Sequence, residues 1–168
     1  SCGPEPDVLG FSHVQARTED VRVTRADLAV HAVARDDEIA VCLKAETHNH
    51  PSAIEPYAGA NTGLGGGIRD ILGAGKGAKP IGSLDVFCFG APDTTMDHIK
   101  ADDVIHPLGV MRGVVRGVRD YGNRMGIPTT GGAIQFDDTF IYNPLVFCGT
   151  AGIIPSADIP KEVKPGHV

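Results

Sequence analysis

The sequence predicts an α/β (α+β) domain in which helices cover one face of a mainly antiparallel or mixed sheet. Two stretches carry apolar residues at helical spacing, 60–74 and 107–125. Around them stand runs of branched and aromatic residues at 28–34, 38–45, 81–89 and 145–154, each bounded by Gly, Pro or Asp. The resulting order is ββαβαββ, with the final pair of strands falling after residue 125 and only 145–154 located within it. No internal repeat interrupts this succession.

The elements follow from local chemistry. Residues 1–27 are polar, of mixed charge, with early Pro and Gly, and read as a poorly ordered segment. Leu28–Ala34 and Glu38–Ala45 flank Asp36-Asp37, which makes a hairpin turn. Pro51 and Pro56 are expected to keep the next segment out of regular helix. Residues 60–74 then form a helix opened by a Gly-rich turn, with Leu64, Ile68, Ile71 and Leu72 on one side. Gly73–Pro80 reads as a flexible loop, 91–106 as a polar surface excursion, and Pro128–Gly132 as a turn. Pro107 opens the most regular helix, whose stripe is Met111, Val114, Val115, Val118 and Met125 and whose stop is Gly126.

Bulk composition narrows the function classes. A length of 168 residues is one domain with room for a core. The net charge of −6 argues against nucleic acid as the main partner, which needs clustered Lys and Arg. No apolar run approaches the ~20 residues of a membrane span, so no membrane partner is expected. The four cysteines are scattered and none forms a C-x-x-C pair; Cys42, Cys88 and Cys148 lie in apolar runs and read as core residues of a reducing, cytoplasmic protein.

The chemistry concentrates in residues 44–70. Glu46-Thr47-His48-Asn49-His50 follows directly on a strand. Glu46 suits Mg²⁺, a hard ion that prefers oxygen, and His48 suits general-base work near neutral pH. The plain alternative is an exposed polar strand end, but two His, an Asn and a Glu in five residues weigh against it. His48-x-His50 is also a zinc-ligand spacing found in metal-dependent hydrolases, a reading that requires further ligands. Gly59–Gly67 before a helix is read as a phosphate cradle, strengthened by Arg69 for a bidentate contact and Asp70 for a metal. The other reading is a Gly-rich turn kept for geometry alone. Gly73–Lys79 is not a Walker A loop, since Lys76 is followed by Gly77 and Asp70 stands five before Gly75; it reads as a mobile basic flap. Asp85 is either a polar strand residue or a nucleotide contact, and the Arg face of helix 107–125 reads as solvated.

Residues 44–70, Gly77-Ala-Lys-Pro80, Asp85, His106-Pro107, Met111–Val115, Gly117–Pro128 and Asn143–Val146 together closely resemble the phosphoribosylformylglycinamidine synthase family, within the AIR-synthase-like superfamily. The resemblance covers residues 38–155. It implies an ATP-dependent amidotransferase of purine synthesis that converts formylglycinamide ribonucleotide to its amidine with ATP and Mg²⁺. By position, Lys44 and Asp85 would contact ATP, Glu46 would hold Mg²⁺, and Asp70 a second Mg²⁺. Thr47, His48, Asn49, His50 and Arg69 would line the substrate, with His48 as the proton acceptor.

Three departures qualify the resemblance. The family carries a Ser-Glu-His-Cys-like segment upstream, which residues 1–37 lack; Ser12-His13 does not match it. Family members continue into a second domain, so 28–155 is expected to be the N-terminal domain and 156–168 a tail leading to an absent one. No glutaminase nucleophile with a partner His can be assigned, so ammonia would come from a separate glutaminase subunit or domain. A fragment inactive alone is therefore expected, or a non-catalytic assembly module of the same fold. Superfamily members pair this half with a like half into a barrel. The predicted strands, apolar on both faces, imply the same partner here: a homodimer or the missing second half.

Overall fold

The computed structural model describes residues 31–35, 38–99 and 103–159. The expectations for 1–27, for the hairpin turn at Asp36-Asp37 and for 160–168 lie outside the described residues.

Strands β1 (His31–Arg35) and β2 (Ile39–Thr47) pair antiparallel. Two helices follow, α1 (Asn49–Ile54) and α2 (Pro56–Gly73). Strand β3 (Lys79–Phe89), helix α3 (Pro107–Met125), β4 (Thr129–Phe136) and β5 (Leu145–Pro155) complete the fold. The sheet runs β1-β2-β5-β3-β4, antiparallel throughout except that β3 and β4 run parallel. The α3 crossover between β3 and β4 is what a parallel pair requires. The predicted order and the single helical layer therefore hold.

Several local expectations do not. Pro51 and Pro56 do not exclude helix: Pro51 is third in α1 and Pro56 first in α2. The first turn has no intrahelical use for its N–H groups, so proline is tolerated there. The glycines of 59–67 lie inside α2 rather than in a turn before it, so the phosphate cradle read from them is withdrawn. Pro128–Gly132 is not merely a turn; from Thr129 it is the unlocated strand, β4, edge-placed and exposed along its length. The Gly73–Pro80 flap is tied down, because the Lys76 amide donates to Asp158 O at 2.9 Å and its ammonium meets the Asp158 carboxylate at 3.4 Å.

Helix α3 forms as predicted. His106 Nδ1 accepts from the Leu108 amide at its start, and Gly126 closes it in the left-handed region at φ 68. Val110, Val114, Gly117, Val118 and Gly122 make its buried face, while Val115, Met125 and, on α2, Leu72 are largely exposed. Glycine sets the close approach of the two long helices. A Cβ on Gly117 would overlap the Tyr57 carbonyl, and one on Gly65 would stand 2.8 Å from the Tyr121 ring. Asn61 Nδ2 donates to Gly117 O at 3.1 Å across that seam.

The inner face of the sheet carries two apolar clusters. Leu64, Ile68, Phe87, Phe89, Val114 and Val146 anchor the larger, and Ala40, Cys42, Ile71 and Ile154 the smaller. On the outer face, Ile39, Leu43 and Leu84 stay 40–46% exposed, with Val41, Val86, Phe147 and Ile153 half-buried beside them.

Two neighbouring glycines separate packing from propensity. A Cβ at Gly67 would lie 2.7 Å from Thr150 Oγ1, whereas at Gly66 its nearest contact is the Arg69 guanidinium at 3.7 Å. Gly67→Ala is expected to destabilise by about 1–3 kcal/mol through overpacking. Gly66→Ala is expected to stabilise by up to about 1 kcal/mol through helix propensity. Urea unfolding of both variants measures the difference, and equal effects would contradict the packing of α2 on β5.

Candidate active site

Strand alternation puts Lys44 and Glu46 on the inner face, toward α2, and register carries that row across the sheet. Lys44 stands opposite Thr150, which stands opposite Ser83; Glu46 stands opposite Cys148, which stands opposite Asp85. Two strand spacings place the Glu46 and Asp85 backbones roughly 10 Å apart on one face. This polar strip lies between the two apolar clusters.

At its β2 end Lys44 Nζ lies 2.8 Å from Glu46 Oε1 and 3.0 Å from Asp70 Oδ2, the latter brought in by α2. The Lys44 side chain is 10% exposed, against 38% and 32% for the two carboxylates. The hydrogen bond to Glu46 foremost, and Asp70 with it, hold the Lys44 ammonium above its ordinary pKa against the opposing pull of burial. The carboxylates therefore open outward over a buried cation. Two carboxylates from separate elements at one cationic centre are a donor set that fits Mg²⁺, which takes one or two carboxylates and completes its shell with water and phosphate oxygens.

At the other end Asp85 is buried. Its Oδ2 accepts from the Ser83 and Thr129 hydroxyls, each at 3.0 Å, while Oδ1 has no hydrogen-bond partner. Burial raises the Asp85 pKa, and the Thr129 and Ser83 hydroxyls, with the Cys148 thiol, act against that rise. Between the ends, the Cys148 thiol is pushed far above its usual range, first by burial and then by the adjoining Asp85 carboxylate. It is an inert thiol of the interior. Thr150 Oγ1 is buried and unpartnered as well.

His48 is held at the junction of β2 and α1. Its amide donates to Val146 O at 2.8 Å, and its carbonyl accepts from the Ser52 hydroxyl at 2.6 Å. The ring turns Nδ1 into the protein, buried and without a partner. Gly63 makes room for it, since a Cβ there would come within 2.9 Å of His48 Cβ. Asn49 Oδ1 accepts from the Val146 amide at 2.8 Å and so docks the start of β5.

Of the residues singled out in the sequence, Lys44, Glu46 and Asp70 converge, and His48 and Asp85 share their face of the sheet. Thr47 falls on the outer face by alternation with Glu46, and Arg69 and His50 are exposed on their helices. The zinc reading of His48 and His50 lacks support, because no three His, Cys, Asp or Glu side chains group to hold a metal among the described residues. The sequence reading missed Ser83, Thr129, Cys148 and Thr150. The available signal was hydroxyls at period two within otherwise apolar strands.

A glycine-rich helix over a mixed sheet, with a carboxylate pair and an isolated buried carboxylate on one strip, defines a mixed α/β domain with a polar band beneath one helix. The family model for AIR synthase related protein, N-terminal domain, matches residues 25–154, and the chain belongs to that family. It is 42% identical over 158 residues to the phosphoribosylformylglycinamidine synthase subunit PurL of Methanothermobacter thermautotrophicus, covering 94% of this chain and 20% of that protein. Among solved structures, Thermotoga maritima PurL complexed with ATP superposes with a TM-score of 0.66 at 34% identity, over 94% of this chain and 24% of the other. The same protein complexed with FGAR gives 0.65 at 35% identity, over 88% and 22%. A PurLQS structure from Thermotoga maritima also matches, at 0.64 and 36%, over 82% and 21%. The chain thus spans about a fifth of the length of these relatives. No described helix is long and apolar enough to cross a membrane.

Burial of Asp85 carries a pH signature. Its native pKa is raised, so the ionised form costs stability at neutral pH, and that cost disappears as the pH falls through the raised pKa toward the ordinary carboxylate value. Asp85→Asn keeps an acceptor for Ser83 and Thr129 and removes the buried charge. It is expected to raise stability on the order of 1 kcal/mol at pH 7. The gain should vanish near pH 4. Thermal unfolding across this range measures it. A less stable variant at pH 7 would mean that the hydroxyl contacts outweigh the desolvation of Asp85.

Proposed function

We propose that this chain is the N-terminal AIR-synthase-like part, residues 28–155, of a phosphoribosylformylglycinamidine synthase. In this reading it carries part of an ATP, Mg²⁺ and formylglycinamide ribonucleotide site and works with further domains. The observation that carries the reading is the convergence of Lys44, Glu46 and Asp70 at one end of a strip that ends on Asp85. The likeness to a PurL that was solved with ATP and with FGAR supports it.

The reaction activates the formyl amide oxygen as an iminophosphate at the expense of ATP, and ammonia then displaces phosphate. Glu46 would hold one Mg²⁺ and Asp70 a second, and these ions would neutralise charge developing on the phosphates and position them for attack. Lys44 contacts the ATP phosphates beside them, and Asp85 marks the nucleotide end of the strip. His48 takes a proton from the incoming nitrogen. Its backbone is pinned on both sides, so the ring is delivered from a rigid junction rather than a loop. Asn49, by docking β5 against α1, positions His48. His50 and Arg69 stand exposed on their helices, where they would meet the ribonucleotide, whereas Thr47, at the end of β2 on the outer face, is assigned to the substrate by resemblance alone. Ammonia comes from a glutaminase subunit or domain, and the setting is cytoplasmic. The match to a PurLQS assembly supports such a partner.

The outer face of the sheet takes the matching sheet of a like domain. Its apolar residues are the argument: Leu43, Leu84, Val86 and Phe147 belong to one face that no described helix covers. Enclosing them against a second sheet removes that area from water at about 25 cal/mol per Å².

Two measurements test these readings. Isothermal titration with Mg-ADP and with formylglycinamide ribonucleotide is expected to show weak binding to this chain, stronger when it is joined to a second domain. His48→Ala is expected to leave Mg-ADP binding unchanged and to lower ammonia-dependent turnover of the joined protein by about 10²–10⁴-fold. No binding by either form would refute the site, and full turnover in the variant would refute the role of His48. Robust ammonia-dependent turnover by this chain alone would show that no further domain is needed. For the outer face, sedimentation at micromolar concentration should give a dimer, and Val86→Glu should dissociate it or precipitate the chain. A monomer of 17.6 kDa, indifferent to that substitution, would show the face to be solvated.

A further inference from the structure

We propose that the groove between β4 and one flank of α3 is a docking site for an extended segment of a partner protein, a segment that alternates aliphatic and acidic residues and joins the sheet as an added strand. The proposal stands apart from the ATP and Mg²⁺ reading and rests on none of its residues.

Among the described strands β4 is the last in the sheet, paired with β3 on one side only. Just after it, the Asp137 amide donates to Phe89 O at 2.9 Å. Along a strand the N–H and C=O of one residue point to one neighbour and those of the next residue to the other. Ile134 and Phe136 therefore turn both groups to the free edge. Edges of this kind are ordinarily guarded by charge, proline or short length. Strand β4 runs for 8 residues, Thr129–Phe136, without a charged residue or a proline. Ile134 and Phe136 are also 49% and 45% exposed, in register with Phe87 and Phe89 of β3.

The inner side of this edge is a groove rather than a flat surface. A cleft of about 490 Å³ lies between α3 and the β3–β4 pair, walled by Phe87, Val115, Val118 and Ile134, with Arg119 and Asn123 on its polar side. A strand added to β4 would lie about 4.8 Å beyond it. Every second side chain of that strand would turn toward the cleft and the exposed ring of Phe136. Main-chain pairing then supplies adhesion, and the apolar walls select the side chains.

Charge selects the partner. Helix α3 carries four arginines and one carboxylate in a chain of net charge −6. Successive helical residues turn by about 100°, which sets Arg112 and Arg119 on the flank of Val115, beside the groove. Arg116 lies on the other flank, 5.7 Å from the Tyr57 ring centre, as does Asp120, which accepts from the Tyr57 hydroxyl at 3.1 Å. Arg119 donates from Nε to Asp120 at 2.8 Å, while Arg112 is exposed. The groove is thus bordered by two arginines. A second copy of this chain, pairing β4 with β4, would bring both pairs of arginines along one trough, where like charge opposes it. An acidic segment neutralises them.

The test uses two blocked, fluorescently labelled peptides of strictly alternating sequence, one of Val and Glu and one of Val and Lys. Anisotropy measures their binding to the full 168-residue chain. The Val–Glu peptide is expected to bind about tenfold tighter or more, and less tightly as salt rises. The double variant Arg112→Glu, Arg119→Glu is expected to reverse the preference. N-methylation of alternate peptide residues tests the edge itself: one set of methyl groups should abolish binding, and the set one residue along should leave it. That control needs no variant, so it decides the matter where a substitution impairs folding. Hydrogen exchange of the Ile134 and Phe136 amides is expected to slow when the peptide is bound. Absence of binding, equal affinity for the two peptides or a preference for Lys would overturn the proposal, as would equal effects of the two methylated sets. Self-association that Ile134→Lys abolishes, in place of peptide binding, would give the groove to a second copy and overturn the choice of partner.

Discussion

Helix α2 runs so close to the sheet that a methyl group at Gly63 would meet His48 and one at Gly67 would meet Thr150. The polar strip exists because of that approach. Larger residues at these positions would lift α2 and carry Asp70 away from Lys44 and Glu46. The ring of His48 would also lose the space it fills against the helix. Glycine in a helix interior costs about 1 kcal/mol each relative to alanine. Helix α2 bears that cost at five positions between residues 59 and 67. Packing on both sides offsets it, with Tyr121 of α3 against Gly65 and β5 against Gly67.

The strip runs against the economy of the surrounding core. A buried polar group without a partner costs on the order of 1–3 kcal/mol. Three such atoms, His48 Nδ1, Asp85 Oδ1 and Thr150 Oγ1, lie along this one band. Two apolar clusters flank it and hold its geometry. Local cost sustained by neighbouring packing is the pattern expected of a binding site rather than of a stability element. Asp85 shows the balance most directly. Two hydroxyls lie on one of its oxygens, yet burial still wins and raises its pKa.

Much of this was legible in the sequence. Runs of branched and aromatic residues placed β2, β3 and β5, and Pro107 with Gly126 bracketed α3 to the residue. Lys44, Glu46 and Asp70 could be named from the sequence as a pattern of residue types, though their contact needed α2 to be placed. The glycines of α2 misled because propensity reads Gly as a breaker, while here tertiary contact overrides propensity. β4 was hidden for a related reason. Pro128-Thr-Thr-Gly-Gly132 has turn composition, and its strand state comes from pairing with β3, a partner more than 40 residues away. Thr150 and Cys148 were invisible as site components because only register reveals which strand residues lie opposite Lys44 and Glu46.

The same alternation ties the site to the outer surface. Along β2, residues 40, 42, 44 and 46 face the helices, and 39, 41, 43 and 45 face away. Each polar residue of the strip is thus one position from an outward side chain: Glu46 adjoins Ala45 and Thr47, and Asp85 adjoins Leu84 and Val86. A slip of one residue in the β2–β5 register would exchange the two sets entirely. The apolar outer row is therefore what fixes the strip in place, since the exchange would bury Leu43 where Lys44 stands and turn the charged pair onto a face made of Leu84, Val86, Phe147 and Ile153. A partner sheet seated on that face would raise the cost of such a slip. In this architecture, the apolar face on one side of the sheet and the geometry of the carboxylate pair on the other are properties of the same strand.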